Sequence, residues 1–109
     1  MKTLRLTKRH FDDGGNYIGT TPLDSFDGNI EIGPNLGVCR FEAIGAAGSI
    51  RAELGSGILS RTYVKAGESV KAGTSVEAGW YVQAGWCVEA GTFVEAGTHV
   101  VAGTYVKAG

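Results

Sequence analysis

From Tyr63 to Gly109, apolar and polar positions follow a fixed six-residue cycle. The copies read YVKAGE, SVKAGT, SVEAGW, YVQAGW, CVEAGT, FVEAGT, HVVAGT and YVKAG, with valine at 64, 70, 76, 82, 88, 94, 100 and 106. Alanine stands two residues after each valine, and glycine follows the alanine. Six is not a helical period, and a helix carrying glycine at every sixth residue would lose about 1 kcal/mol at each one. A strand accounts for the spacing. In Val-x-Ala the two apolar side chains face one side, and the intervening Lys, Glu or Gln faces the other. Glycine is then expected to give the backbone freedom for a corner. Each hexad becomes one short strand and one turn, which cannot bury its own face and needs copies above and below.

The phase continues upstream in degraded form. A step of six from Val64 reaches Ile58, and a slip of two residues recovers the cycle at Ile50, Ile44, Val38, Ile32 and Phe26. Ala46 and Ala52 stand two after Ile44 and Ile50, as in the perfect copies. The two extra residues near 53–57 predict a bulge or a widened corner. About 14 hexads result; at three per coil, or about 18 residues, they make between four and five coils and a stack about 22 Å long. The expected fold is all-β: a single three-sided parallel β-solenoid with an N-terminal β cap. Residues 1–25 form the cap, 26–57 the degenerate coils and 58–109 the regular ones. In the cap, Leu4 and Leu6 alternate with Arg5, and Gly14-Gly15-Asn16 reads as a turn.

At this point the chain resembles the hexapeptide-repeat proteins of the left-handed β-helix family. Ala66-Gly67-Glu68-Ser69-Val70-Lys71 matches their pattern in outline, but alanine holds the large aliphatic position and valine the small one. That exchange leaves open a right-handed three-sided solenoid, as in bactofilin-like proteins. The near-perfect copies are also similar to small AG-repeat proteins of phages, and some small phage proteins are anti-CRISPR inhibitors of host defence. This resemblance implies a protein that occludes a host defence complex in the host cytoplasm.

An 18-residue coil predicts which outward residues stack. One face carries Tyr63, Tyr81 and His99, with Trp80 near its corner. A second carries Lys71, Glu89 and Lys107 as an alternating charge ladder, with Trp86 and Cys87 beside it. The third sets Glu77 against Glu95 and Ser75 against Phe93; like charges at strand spacing do not serve stability. Aromatic residues are enriched where proteins bind each other, so Tyr63, Trp80, Tyr81, Trp86, Phe93 and His99 are the candidate protein-binding residues. Stacking across strands is the structural alternative for the same rings. No divergent segment follows Gly109, so the last coil is expected to pair with another copy through Tyr105, Val106 and Lys107, most simply in a homodimer.

Composition narrows the chemistry. Ten Lys and Arg face eleven Asp and Glu, which argues against a nucleic-acid-binding surface. Two cysteines, Cys39 and Cys87, are too few for a disulfide framework, and a reduced cytoplasmic setting is expected. No apolar run reaches 18 residues, so no membrane span is expected, and no signal peptide is apparent. Cys39, Cys87, His10 and His99 lack ligand spacing, so no metal or cofactor is expected. Asp12 to Asn16 reads as a turn rather than a calcium loop. Hexapeptide-repeat acyltransferases use a histidine base, which makes His99 the one candidate for catalysis. A non-enzymatic binding protein is the favoured reading, with a self-assembling structural solenoid and an acyltransferase as alternatives.

Overall fold

The computed structural model describes residues Lys2–Gly109. Its strands are β1 (Lys2–Leu6), β2 (Gly28–Ile32), β3 (Gly37–Phe41), β4 (Ile44–Ala46), β5 (Ile50–Ala52), β6 (Ser56–Ser60), β7 (Tyr63–Ala66), β8 (Val70–Ala72), β9 (Ser75–Ala78), β10 (Tyr81–Ala84), β11 (Cys87–Ala90), β12 (Phe93–Ala96), β13 (His99–Ala102) and β14 (Tyr105–Ala108). From β2 onward, successive strands join three parallel sheets in strict rotation. The first sheet runs β1-β2-β5-β8-β11-β14, the second β3-β6-β9-β12 and the third β4-β7-β10-β13. The chain is therefore a parallel β-solenoid of about four turns.

The hexad fixes the interior. Val64, Val70, Val76, Val82 and Val88 are fully buried, and the alanine two residues on from each points into the same core. Each valine contributes about 1.5–3 kcal/mol by leaving water. Valine stacks on valine one coil away: Val64 on Val82, Val70 on Val88 and Val76 on Val94. Upstream, the corresponding positions are Ile44, Ile50 and Ile58.

Above these, the sequence phase is off. The residue stacked on Ile58 is Cys39, which is 1% exposed, whereas Val38 points outward at 37%. Ile30, not Ile32, takes the valine position opposite Ile50; Ile32 and Phe26 take alanine positions opposite Ala52 and Ala46. The reason is corner length. Nine residues separate Ile30 from Cys39 and eight separate Ile50 from Ile58, whereas six separate Val70 from Val76. The extra residues lie in two stacked wide corners between the first and second sheets. Asn35 (φ 60°) sits over Gly55 (φ 82°), and Asn35 N–H donates to the Leu54 carbonyl at 2.9 Å. Ser56, fully buried, ties the two corners: its hydroxyl donates to the Gly33 carbonyl at 2.5 Å and accepts from Leu36 N–H at 3.1 Å.

The N-terminal segment follows the same three-sided path. β1 lies parallel to β2, with Leu6 fully buried opposite Ile32. Residues 15–17 then run along β3, where Arg40 N–H donates to Gly15 and Tyr17 N–H to Arg40. Residues 23–26 run along β4, joined through Gly45 to Leu23 and Phe26. The cap is thus one irregular coil, held by an aromatic cluster of Phe11, Tyr17 and Phe41 with centroids 5.7–6.0 Å apart. The loop at Asp12 is a turn: its carboxylate accepts from Gly14 N–H and Asn16 N–H, both at 2.9 Å.

Among the described residues no helix is long and apolar enough to cross a membrane. Both cysteines are free and buried, on different sheets.

Candidate functional site

Because the core repeats from β7 onward, the regular coils differ mainly in what they show outward. The third sheet shows most. Tyr63, Tyr81 and His99 hold equivalent positions on β7, β10 and β13. Their rings stack with centroids 5.5 and 5.4 Å apart and planes tilted by 11° and 3°. Their spacing is close to the strand spacing of about 4.8 Å, so the ladder itself sets the stack. Parallel rings turn their faces toward each other and leave edges for contact. Tyr63 also donates its hydroxyl to the Asp24 carbonyl at 2.9 Å, and burial first, then Asp24 and Tyr81, pushes its pKa up.

The two tryptophans bound this sheet. Trp80 lies at the corner entering β10, and Trp86 at the corner leaving it toward β11. They are 57% and 62% exposed. The equivalent corners carry Thr62 and Thr98 on either side of Trp80, and Glu68 above and Thr104 below Trp86. Thr62, Thr98 and Thr104 each donate a side-chain hydroxyl to a carbonyl one coil above, at 2.6–2.8 Å, and Thr92 does the same at the remaining corner. Trp80 and Trp86 retain only the backbone bonds, to Thr62 and Glu68. At both places a local stabilising bond is absent and a large apolar surface faces water.

His99 is oriented by its neighbour. Thr98 gives its one hydroxyl proton to Trp80, so the Nδ1 atom of His99, 3.1 Å from that oxygen, must be the donor. No carboxylate is bonded to His99 among the described residues. His10 lies on the cap, where Nδ1 accepts from Thr7 N–H at 2.9 Å.

The other candidates lie elsewhere. Phe93 is on the second sheet opposite Ser75, 43% exposed, so it does not share a surface with the ring ladder. The third-sheet face therefore holds Tyr63, Trp80, Tyr81 and His99, with Trp86 at its far edge. Glu77 and Glu95 are adjacent on the second sheet. Tyr105, Val106 and Lys107 form β14 at the end of the first sheet, and Val106 is 47% exposed where the valines above it are fully buried. Lys71 pairs with Glu89 at 3.4 Å, and Glu89 also accepts from Tyr105 at 3.2 Å. Desolvation raises Glu89, but hydrogen bonds from Tyr105 and Lys71, the Lys71 charge and the Cys87 thiol bring it below the usual carboxylate range. Hydrogen bonding to Cys87 and then Glu89 pushes Tyr105 up to about 12. Burial pushes the Cys39 thiol up to about 11. Among the described residues no three His, Cys, Asp or Glu side chains gather as a metal site.

No protein-family model, no curated protein and no solved structure matches the chain.

Proposed function

We propose that the protein is a non-enzymatic binding scaffold whose third-sheet face engages a protein partner. The observation that carries this reading is the replacement of the corner threonine by exposed Trp80 and Trp86 at the two edges of β10. The hydroxyl bond that Thr98 and Thr104 make one coil on is given up at both places, so local stability does not account for the tryptophans. Between the tryptophans, Tyr63, Tyr81 and His99 add aromatic edges with polar tips, the composition that dominates interface hot spots. The backbone ladder holds these groups in place before contact, which lowers the ordering cost of binding.

The narrower reading is an inhibitor of phage or mobile-element origin that occludes a host defence complex. It rests on the likeness of the Ala-Gly copies to small phage AG-repeat proteins. The test is co-purification from host cells with wild-type chain and with Trp80→Ala/Tyr81→Ala. A defence complex recovered only by the wild type supports the reading, and equal recovery removes it.

A second reading is self-association through Tyr105, Val106 and Lys107. Its support is the half-exposed Val106, which matches in kind the buried valines of its own column. Light scattering at high micromolar concentration decides it: a dimer supports it and a monomer ends it. Acyl transfer with His99 as base is the remaining alternative. Its test is transfer from a CoA donor, abolished in His99→Ala if that reading holds.

A further inference from the structure

The first sheet carries a second feature, independent of the ring ladder. Its outward columns leave a trench of about 720 Å³ between the corner toward the third sheet and the middle of the sheet. Small residues make the floor. Ser49 and Ser69 follow one another down the sheet, and Ser49 Oγ lies 3.4 Å from both Ser69 N and Glu68 Oε1. The Cys87 thiol continues the line, 3.3 Å from Ser69 Oγ. Trp86 and Glu68 wall one side, and Arg51 and Lys71 the other.

The cations are arranged against stability. Lys71 sits next to Arg51 in the ladder, so two like charges are neighbours at strand spacing. The carboxylates that could neutralise Arg51 are engaged elsewhere. Glu31, its neighbour on the other side, pairs with Arg5 at 3.3 Å, and Glu53 pairs with Arg5 at 2.6 Å. Lys71 has Glu89, but Arg51 is exposed and has no ion pair among the described residues. A guanidinium in that position is a free bidentate site for a carboxylate or another oxyanion.

The rest of the trench selects among anions. Glu31 and Glu68 line the trench as well, and their charges disfavour the closely spaced anions of a polyphosphate or a nucleic-acid strand. Carboxylates and serine hydroxyls are the acceptors and donors that sugar hydroxyls require. An indole exposed beside them offers an apolar surface to the C–H face of a pyranose. We propose that this trench binds a carboxylate-bearing saccharide, with Arg51 on the carboxylate, Ser69 and Glu68 on hydroxyls, and Trp86 against the ring.

The test is isothermal titration of the full chain with trigalacturonate and with sialyllactose, using galactotriose, lactose and ADP as comparators. Saturable binding of either acidic saccharide, with its neutral counterpart at least about tenfold weaker, is expected. Arg51→Gln should remove that preference, and Trp86→Ala should weaken acidic and neutral sugars alike. Trp80→Ala, on the opposite edge of the third sheet, should leave sugar binding unchanged. Circular dichroism keeps a loss of binding distinct from a loss of fold. The proposal is overturned if neither acidic saccharide binds at millimolar concentration, or if neutral sugars or ADP bind as well. It is also overturned if folded Arg51→Gln behaves as wild type.

Discussion

Gly85 lies directly beneath Gly67, so that a β-carbon on Gly85 would overlap the Gly67 carbonyl oxygen. The same holds for Gly91 under Gly73, Gly97 under Gly79 and Gly103 under Gly85. None of these glycines has a positive φ. The repeat requires glycine because adjacent coils approach too closely for any side chain, not because the corner needs a left-handed backbone. The coil stack thus sets the residue type, and the period of six follows from it. Replacing Gly85 by alanine forces backbone against backbone, and should destabilise the fold by about 3 kcal/mol. Urea unfolding followed by circular dichroism measures this directly.

Ser56 makes a comparable demand in the irregular part. Its buried hydroxyl serves Gly33 and Leu36 across two wide corners. Ser56→Ala leaves both backbone groups without that partner, and should cost about 1–3 kcal/mol in the same unfolding assay.

Much of the fold could be read from residues 63–109 because every level of the chain repeats together there. Valine, alanine and glycine each fix one geometric role, and a copy six residues away fixes the same one. The register of Tyr63, Tyr81 and His99 followed for that reason. Upstream the reading lost phase at Val38 and Ile32, since corner length there is set by Asn35, Gly55 and Ser56, which belong to no period. The exposed tryptophans could be seen in the sequence. What they displace could not, because it is a hydroxyl bond that Thr98 and Thr104 make to the coil above. Arg51 carries no signal in the sequence for a related reason: only the three-dimensional ladder shows Arg5 drawing Glu31 and Glu53 away from it.

Acid should loosen the cap. The Asp12 carboxyl is held below its usual value of 3.8, chiefly by the Asn16 N–H and despite some desolvation. A depressed folded value means that the contribution is present above the unfolded value and is lost as pH falls through the folded one. Wild-type stability should therefore fall below about pH 4. Asp12→Asn should be less stable at neutral pH and should show a shallower acid loss. Thermal melts across the acid range, comparing the two proteins, measure the difference.

On the proposed reading, function lies where the repeat is broken, at Trp80. Threonine at this position should restore the hydroxyl bond to the Thr62 carbonyl that Thr98 makes to Trp80 one coil below. Trp80→Thr is thus expected to match or exceed wild-type stability, by up to about 1 kcal/mol, while losing the partner. The decisive measurement takes urea unfolding and partner co-purification on the same preparations of wild type and Trp80→Thr. Equal or greater stability with partner recovery abolished is the predicted result. Undiminished recovery by a folded Trp80→Thr protein would contradict the account.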